Sequence, residues 1–444
     1  VLERVSEQGG ARVLVHFDLT GPTGNRPKNP DALQEAFLAF LGKLKPSSDG
    51  GRAPRVQRFS ERPFLAVELD RRDLARLESR VEGFEFEGEA VRYRVELTPR
   101  LFGRATTAPA GDPVAVSTYV SQLGGGELTA TGEGITIAVI DEGIDPDSGA
   151  LAAPVVDASH VEEETAYCPA AVLTTDDPAA GKAPGASPYV PSHGTRVAGV
   201  ATQVAGGVEL ISIRVGEGYG ALVTDVAAAL QELECRWRLE HPTLGAVVLA
   251  MTSVDVGGED FESHRQLLLD AVVALQGEGI PVVVSAGNDE LTGALAFPAD
   301  LPPVVSVGSV EEDLATRSPS SNWSSALDLC APGSKLGLPV AWSYDLYSCS
   351  GTSFSAPFVA GVIARMRQAF PACETEVIVR VLHETGTAIE VVEDGVVIRV
   401  PLIQIDLAAE LLGATCGAAE EGFGAPPPTP GPWKAEAEEP PQRG

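Results

Sequence analysis

The sequence predicts an α/β protein in two parts: a three-layer α/β/α domain on a mostly parallel sheet, preceded by a small α+β unit of ferredoxin-like order. Three observations carry this reading. Its 444 residues exceed what one hydrophobic core of usual size organises. From Gly134 onward, continuous apolar runs alternate with helical patterns, as strands buried on both faces between helices do. The charge is also unevenly divided. Lys and Arg number 32 against 62 Asp and Glu, a net charge of −30. Residues 1–100 hold 17 basic and 16 acidic side chains, and the other 344 hold 15 and 46.

In the first part, Arg12 to Phe17 alternates as a strand. Pro30 opens a helix whose apolar positions Leu33, Ala36, Phe37, Phe40, Leu41 and Leu44 recur at three and four residues. Val56 to Phe59 and Pro63 to Leu69 follow as strands. Asp70 to Ser79 reads as a charged helix with Leu74 and Leu77 turned inward, and Val91 to Leu97 supplies the last strand. The order β-α-β-β-α-β over residues 1–97 is ferredoxin-like. Residues 98–118, in a stretch rich in Ala, Thr, Pro and Gly, read as an exposed linker.

Residues 119–416 form the second part. Strands are expected at Ile135 to Ile140, Leu210 to Val215, Ala246 to Met251, Pro281 to Ser285 and Val304 to Val307. Helices are expected at Thr224 to Glu240, Ser263 to Gln276, Ser353 to Ala369 and Glu374 to His383. A hairpin turning at Asp394-Gly395 follows. The tail, 417–444, is rich in Pro, Glu and Ala without an apolar pattern and is expected to be disordered.

Composition narrows the function. A strongly negative field repels nucleic acid and anionic membrane surfaces. No apolar run approaches the roughly 20 residues of a membrane span. Cys168, Cys235, Cys330, Cys349, Cys373 and Cys416 are even in number and lack zinc-binding spacing, which favours disulfides and an oxidising compartment. A chain that begins at Val1 without a charged-then-apolar leader is read as one whose signal peptide has been removed or lies upstream.

Ligands of an open parallel sheet sit beyond the carboxyl ends of its strands. Asp141 stands there, after Ile135 to Ile140. His193, in Ser192-His193-Gly194-Thr195, opens an apolar helical stretch. Ser353, in Gly351-Thr352-Ser353, falls where a glycine-containing turn enters a helix, whose positive end suits a hydroxyl that must bear negative charge. Asn288, in Ser285-Ala286-Gly287-Asn288, follows another buried strand and offers an amide. A carboxylate, an imidazole, a hydroxyl and an amide donor are the groups acyl transfer requires.

These segments, with Ala356-Pro357, Ala331-Pro332-Gly333 and Pro298-Ala299 leading into Val304 to Gly308, resemble those of the subtilisin-like serine peptidases, the subtilases. The likeness covers about Tyr119 to Gly413. It implies a serine endopeptidase with Ser353 as nucleophile, His193 as base, Asp141 as its orienting carboxylate and Asn288 as oxyanion donor. It also implies substrate pairing along Ala250, Met251, Thr252 and Ser253 and beside Ala286 and Gly287. By position, the first part resembles the family's propeptide, an intramolecular chaperone and inhibitor, with processing in the linker; Arg100, Arg104 and Ala110 to Ser117 are candidates. Protein or peptide substrates, an extracytoplasmic location and no cofactor for the chemistry follow. Structural calcium is allowed for at Asp145, Asp147 and Asp157 or at Glu162 to Glu164, without diagnostic spacing.

Several positions depart from the family's usual wording. Glu142 stands where Thr or Ser is common, Ser148 and Gly149 stand where a His is often found, and Phe354 and Phe358 replace frequent Met and His. Leu249 to Val254 replaces a Ser-(Leu/Phe)-Gly segment. The rival reading is a catalytically silent binding or scaffolding protein on the same fold. The neutral, Arg-rich first part against an acidic body further predicts partly electrostatic docking, released by salt.

Overall fold

A computed structural model describes residues 10–18, 29–44, 56–59, 61–78, 84–86, 89–103, 113–160, 192–216, 220–240, 243–254, 261–339, 346–393 and 395–417. The elements of the first part are β1 (Gly10–Phe17), α1 (Pro30–Leu44), β2 (Val56–Arg58), β3 (Phe64–Asp70), α2 (Arg71–Glu78), β4 (Phe84–Phe86), β5 (Glu89–Val91) and β6 (Tyr93–Leu97). Its antiparallel sheet runs β2-β3-β1-β6, with β4 and β5 as a separate ribbon. The two faces of this sheet have different partners, as a period of two requires. Val13, Val15, Phe17, Leu65 and Val67 pack with Leu33, Phe37 and Leu74 of α1 and α2. Leu14, Phe64 and Ala66 point the other way, into the core of the second part.

Next come β7 (Arg100–Leu101), β8 (Val114–Ala115), α3 (Val116–Gln122), β9 (Thr136–Asp141), β10 (Val155–His160), α4 (His193–Val204), β11 (Glu209–Arg214), β12 (Ala221–Leu222), α5 (Val223–Glu240), β13 (Leu244–Leu249), α6 (Glu262–Gly277), β14 (Val282–Ser285), β15 (Val305–Val310), β16 (Leu329–Pro332), β17 (Leu336–Pro339), β18 (Leu346–Cys349), α7 (Thr352–Ala369), α8 (Thr375–Glu384), β19 (Thr387–Glu393), β20 (Val396–Leu402) and α9 (Ile405–Cys416). The central sheet has order β10-β11-β9-β13-β14-β15-β16-β20-β19. It is parallel except for the final hairpin pair, β20 with β19. Along β9, Ile137 and Val139 join the core with α4 and α7, while Ala138 and Ile140 join the core with α5 and α6. This gives the three layers expected.

Two features differ from the sequence reading. Part of the stretch read as an exposed linker is ordered: Leu101 is fully buried in β7, and α3 begins at Val116 with Tyr119 buried. Its partners lie more than a hundred residues away, so no local pattern marks it. The cysteines divide: Cys373 and Cys416 form a disulfide that ties the end of α9 to the turn between α7 and α8, Cys235 is disulfide-bonded, and Cys330 and Cys349 are buried thiols. The expected tail beyond Gly417, Cys168 and the processing candidates Arg104 and Ala110 lie outside the described residues.

Candidate active site

Four loop or helix starts converge at the carboxyl ends of β9, β13 and β14. Asp141 closes β9, whose six residues are all buried. Its carboxylate accepts the Glu142 amide at 2.8 Å and faces His193 Nδ1, with both oxygens at 3.0 Å. Asp141 is 1% and His193 6% exposed, so this pairing is shielded from water.

His193 is the first residue of α4, and the residues around it explain the His-Gly-Thr wording. Ser192 caps the helix by accepting from the Thr195 amide. A Cβ on Gly194 would lie 2.5 Å from the Gly143 carbonyl oxygen and 3.0 Å from Asp141 Cβ, so only glycine lets α4 meet the β9 end this closely. Thr195 Oγ1 accepts from the Asp145 amide at 2.8 Å, binding the loop after Asp141 to the helix. Glu142, the departure from Thr or Ser, accepts the His193 amide at 2.6 Å and places a carboxylate at the positive helix end.

Ser353 is the second residue of α7 and is 1% exposed. Gly351 precedes the helix at φ 137°, in the region that favours glycine. Ser353 Oγ donates to the Ala250 carbonyl at 3.2 Å, and among the described residues His193 Nε2 is buried without a hydrogen-bond partner. The hydroxyl is thus not on the imidazole in this resting arrangement, a looseness usual before substrate is bound. Phe354 replaces the frequent Met with a ring 6.2 Å from the imidazole, centroid to centroid, and carries the Arg196 guanidinium on its own face.

Asn288 belongs to the same cluster. Its Oδ1 accepts from the Thr352 amide at 2.9 Å and the Thr352 hydroxyl at 3.1 Å, which fixes Nδ2 as the other end of the amide. The loop that carries it is held by Asn322, which donates to the Ala286 carbonyl and accepts from the Asp289 and Leu291 amides. Gly287, at φ 101°, passes so close to Asn322 that a Cβ would lie 2.3 Å from Nδ2. Ala286 and Gly287 spend their carbonyls on this scaffold, and they shape the loop.

The expected substrate edge is occupied by the chain itself. Phe102 exchanges both backbone hydrogen bonds with Thr252, at 2.9 and 3.1 Å. On the other side β7 pairs antiparallel with β12, Leu101 opposite Ala221. Gly103 then lies against the His193 ring. Ala250, Met251 and Thr252 flank this strand, whereas Ser253 pairs with Phe297 and faces away from it. Sequence reading missed Gly220, at φ 100°, whose missing Cβ admits the Leu101 carbonyl and the Phe102 ring. Its signal in the sequence is its place as the last of three alternate glycines, Gly216, Gly218 and Gly220, between apolar segments.

The first part docks on α5 and α6. Glu96 accepts from the Ser263 amide and hydroxyl and from His264 Nδ1 at 3.0 Å, at the start of α6. His264 Nε2 meets Thr98 Oγ1, and His16 Nδ1 meets Ser263 Oγ. Along α5, Arg12 and Gln57 reach Asp225, and Arg62 reaches Gln231 and Glu234. Of the residues set aside for calcium, Asp145 accepts from the Asp147 amide, Asp157 pairs with Arg236, and Glu162 to Glu164 lie outside the described residues. Among the described residues, no three acidic, His or Cys side chains are grouped to hold a metal ion.

Comparison with known proteins fits this geometry. Residues 132–404 match the profile of the Peptidase S8 subtilase family. Subtilisin-like protease 1 of Trichophyton verrucosum is 28% identical over 242 residues, 53% of this chain and 53% of that protein. Subtilisin-like protease 1 of Trichophyton tonsurans is 32% identical over 178 residues, 39% of this chain and 33% of that protein. The chain therefore matches about half the length of the first of these relatives and a third of the second. Among solved structures, fervidolysin from Fervidobacterium pennivorans, a keratinolytic enzyme related to subtilisin, superposes with a TM-score of 0.59 at 19% identity. That likeness covers 92% of this chain and 62% of fervidolysin and concerns the fold. With the family match spanning more than half its residues, the chain belongs to the subtilase family.

Proposed function

We propose that this chain is a serine endopeptidase made as a zymogen, its first part acting as an intramolecular inhibitor until the chain is cut within residues 98–118. The observation that carries this reading is the placement of Phe102 on Thr252 and of Gly103 on His193: the chain lies in the cleft as a substrate strand would.

The residues then divide the work as follows. Ser353 Oγ attacks the scissile carbonyl carbon while His193 Nε2 takes its proton, and Asp141 holds Nδ1–H and stabilises the imidazolium. His193 returns the proton to the departing amine as the carbon–nitrogen bond breaks. Water, activated by the same imidazole, then hydrolyses the ester and restores Ser353. The oxyanion lies between Asn288 Nδ2 and the Ser353 amide at the N-terminal end of α7. No cofactor enters these steps.

Replacing Asn288 by Ala is expected to lower kcat on the order of 10²–10³-fold with KM little changed, the scale known for such a donor in subtilisin. Steady-state hydrolysis of a peptide anilide measures both constants. The reading as a whole is tested on the full chain by intact mass and by labelling with a fluorophosphonate. A chain that neither separates between residues 97 and 118 nor labels leaves the silent scaffold as the reading. An extracytoplasmic location rests on the Cys373–Cys416 disulfide, a bond that persists in oxidising compartments. Among the described residues no helix is long and apolar enough to cross a membrane.

A further inference from the structure

We propose that Asn322, buried behind the loop that carries Asn288, is a positioning residue for this oxyanion donor. The proposal rests on the peptidase reading above and adds a residue that acts on the reaction through another.

Both peptide groups that flank Asn288 are bonded to Asn322. The Gly287 carbonyl, in the peptide before Asn288, accepts from the backbone amide of Asn322 at 2.9 Å. The Asp289 amide, in the peptide after it, donates to Asn322 Oδ1 at 2.9 Å. The same oxygen accepts from the Leu291 amide at 3.1 Å. Asn322 Nδ2 donates to the Ala286 carbonyl at 3.1 Å and to Asp289 Oδ2 at 3.3 Å. A carboxamide offers two lone pairs and two N–H groups, and all four are used here on one loop. The backbone of Asn288 therefore cannot turn without breaking a bond to Asn322. Its side-chain oxygen is tied separately to Thr352. With the backbone and Oδ1 both fixed, the direction of Asn288 Nδ2 is set.

Asn322 is itself held fast. It is 0% exposed, and its carbonyl accepts from Ser321 Oγ at 3.0 Å. That hydroxyl oxygen in turn accepts from the Ser309 amide at 3.0 Å, on strand β15 of the central sheet. A line of bonds thus runs from the sheet through Ser321 and Asn322 to Asn288. A catalytic group supported in this way keeps its geometry better than one on an unsupported loop. Misplacing a reacting group by about 1 Å costs on the order of 10²-fold in rate, so loss of the support is read in kcat. The loss cannot exceed what Asn288 itself supplies, on the order of 10²–10³-fold. A residue that served only the fold would behave differently. Its removal would lower the number of working molecules and leave the turnover of each one unchanged.

The test uses the full chain after processing is complete by intact mass, with active sites counted by fluorophosphonate labelling run to its end. Hydrolysis of a peptide anilide is then followed in a cycle of four chains: the parent, Asn322→Ala, Asn288→Ala and the double variant. In the parent background, Asn322→Ala is expected to lower kcat per counted site about 10–10²-fold, with KM changed by less than about twofold. In the Asn288→Ala background the same substitution is expected to cost less than about twofold more, because the group it positions is gone. If the alanine chain yields no countable sites, Asn322→Ser, which leaves a hydroxyl in the loop, takes its place in the cycle. Equal losses in the two backgrounds, a change in KM instead of kcat, or no countable sites with either substitution overturns the positioning role alone. A parent chain that neither labels nor hydrolyses the anilide overturns the peptidase reading with it.

Discussion

Replacing Ser353 by Ala is expected to abolish fluorophosphonate labelling and to lower peptide hydrolysis on the order of 10⁶-fold, the scale measured in subtilisin itself when the nucleophile is removed. On the proposed triad, the loss is this large because its three members act as one unit. Without an oxygen to deprotonate, the His193–Asp141 pair has no acyl transfer to support, and only binding and the oxyanion donors remain. The same variant should keep the first part covalently attached, giving a single intact mass. Its fold should survive, since the side chain's hydrogen bond is one to the Ala250 carbonyl and the lost volume is one oxygen atom. Circular dichroism melting within a few degrees of the parent establishes that. A Ser353→Ala chain that still labels, or cleaves within tenfold of the parent, would remove Ser353 from the role given to it.

The second large effect lies at the docking surface. Cleaved first part should stay bound at pH 8 and separate at pH 5, and Glu96→Ala should weaken docking at pH 8 by about 2–5 kcal/mol, at least about thirtyfold. Burial lowers the His264 proton affinity below its ordinary 6.5, only partly offset by Glu96. His16 is lowered by burial and by Arg94. For Glu96, burial pushes the carboxyl up, but hydrogen bonds from His264 and Ser263 outweigh it and leave it below its ordinary 4.5. The docked state thus holds fewer protons than the separated parts for all three groups. Their contribution is full above about pH 6.5, falls as the histidines take up protons below it, and falls again as Glu96 does below about 4.5. Size-exclusion chromatography of the processed chain at the two pH values reads this directly.

Salt should matter less than the charge asymmetry alone suggests. The Arg62–Glu234 pair is 12% and 11% exposed, and Glu96 is 8% exposed. Charges this far from solvent are weakly screened. Release that follows ionic strength but not pH would show that the exposed charges dominate docking and the buried histidine cluster does not.

Much of the site is readable in the sequence because its residues sit where secondary structure changes. Asp141 ends a fully buried strand, His193 and Ser353 stand at helix starts, and the glycines beside them allow a close approach at Gly194 and a positive φ at Gly143 and Gly351. The readable part of the fold has a related origin: β9, β11, β13, β14 and β15 are strands buried on both faces, and continuous apolar runs mark them. What escaped depends on distant partners. Leu101 to Gly103 carries no strand pattern because it borrows its pairing from Ala221 and Thr252, far along the chain. Glu96 sits on a strand that alternates like a surface one, and His264 reads as an ordinary helix residue until the two are brought together. The resemblance implies substrate pairing at Ser253, Ala286 and Gly287; Ser253 exchanges its backbone bonds with Phe297, and the Ala286 and Gly287 carbonyls accept from the loop scaffold around Asn322. The partner of Cys373 is a matter of how α9 packs on α8 beside the turn that holds Cys373, which spacing does not encode.

The sharing of one apolar cluster by Leu14, Phe59, Phe64 and Ala66 with α5 and α6 has a consequence for the molecule after it is cut. Departure of the first part uncovers a greasy floor on the larger fragment and a matching one on the smaller. Two such fragments could then adhere to copies of themselves, and the surplus of 46 acidic over 15 basic side chains beyond residue 100 is the force that keeps the larger ones apart. On the zymogen reading, the excess charge then keeps the uncovered large fragment dispersed. Light scattering of the separated large fragment should rise steeply as the pH is lowered toward charge neutrality, while the uncut chain, with its roof in place, stays clear further down. Equal turbidity of the two would detach the charge from this task.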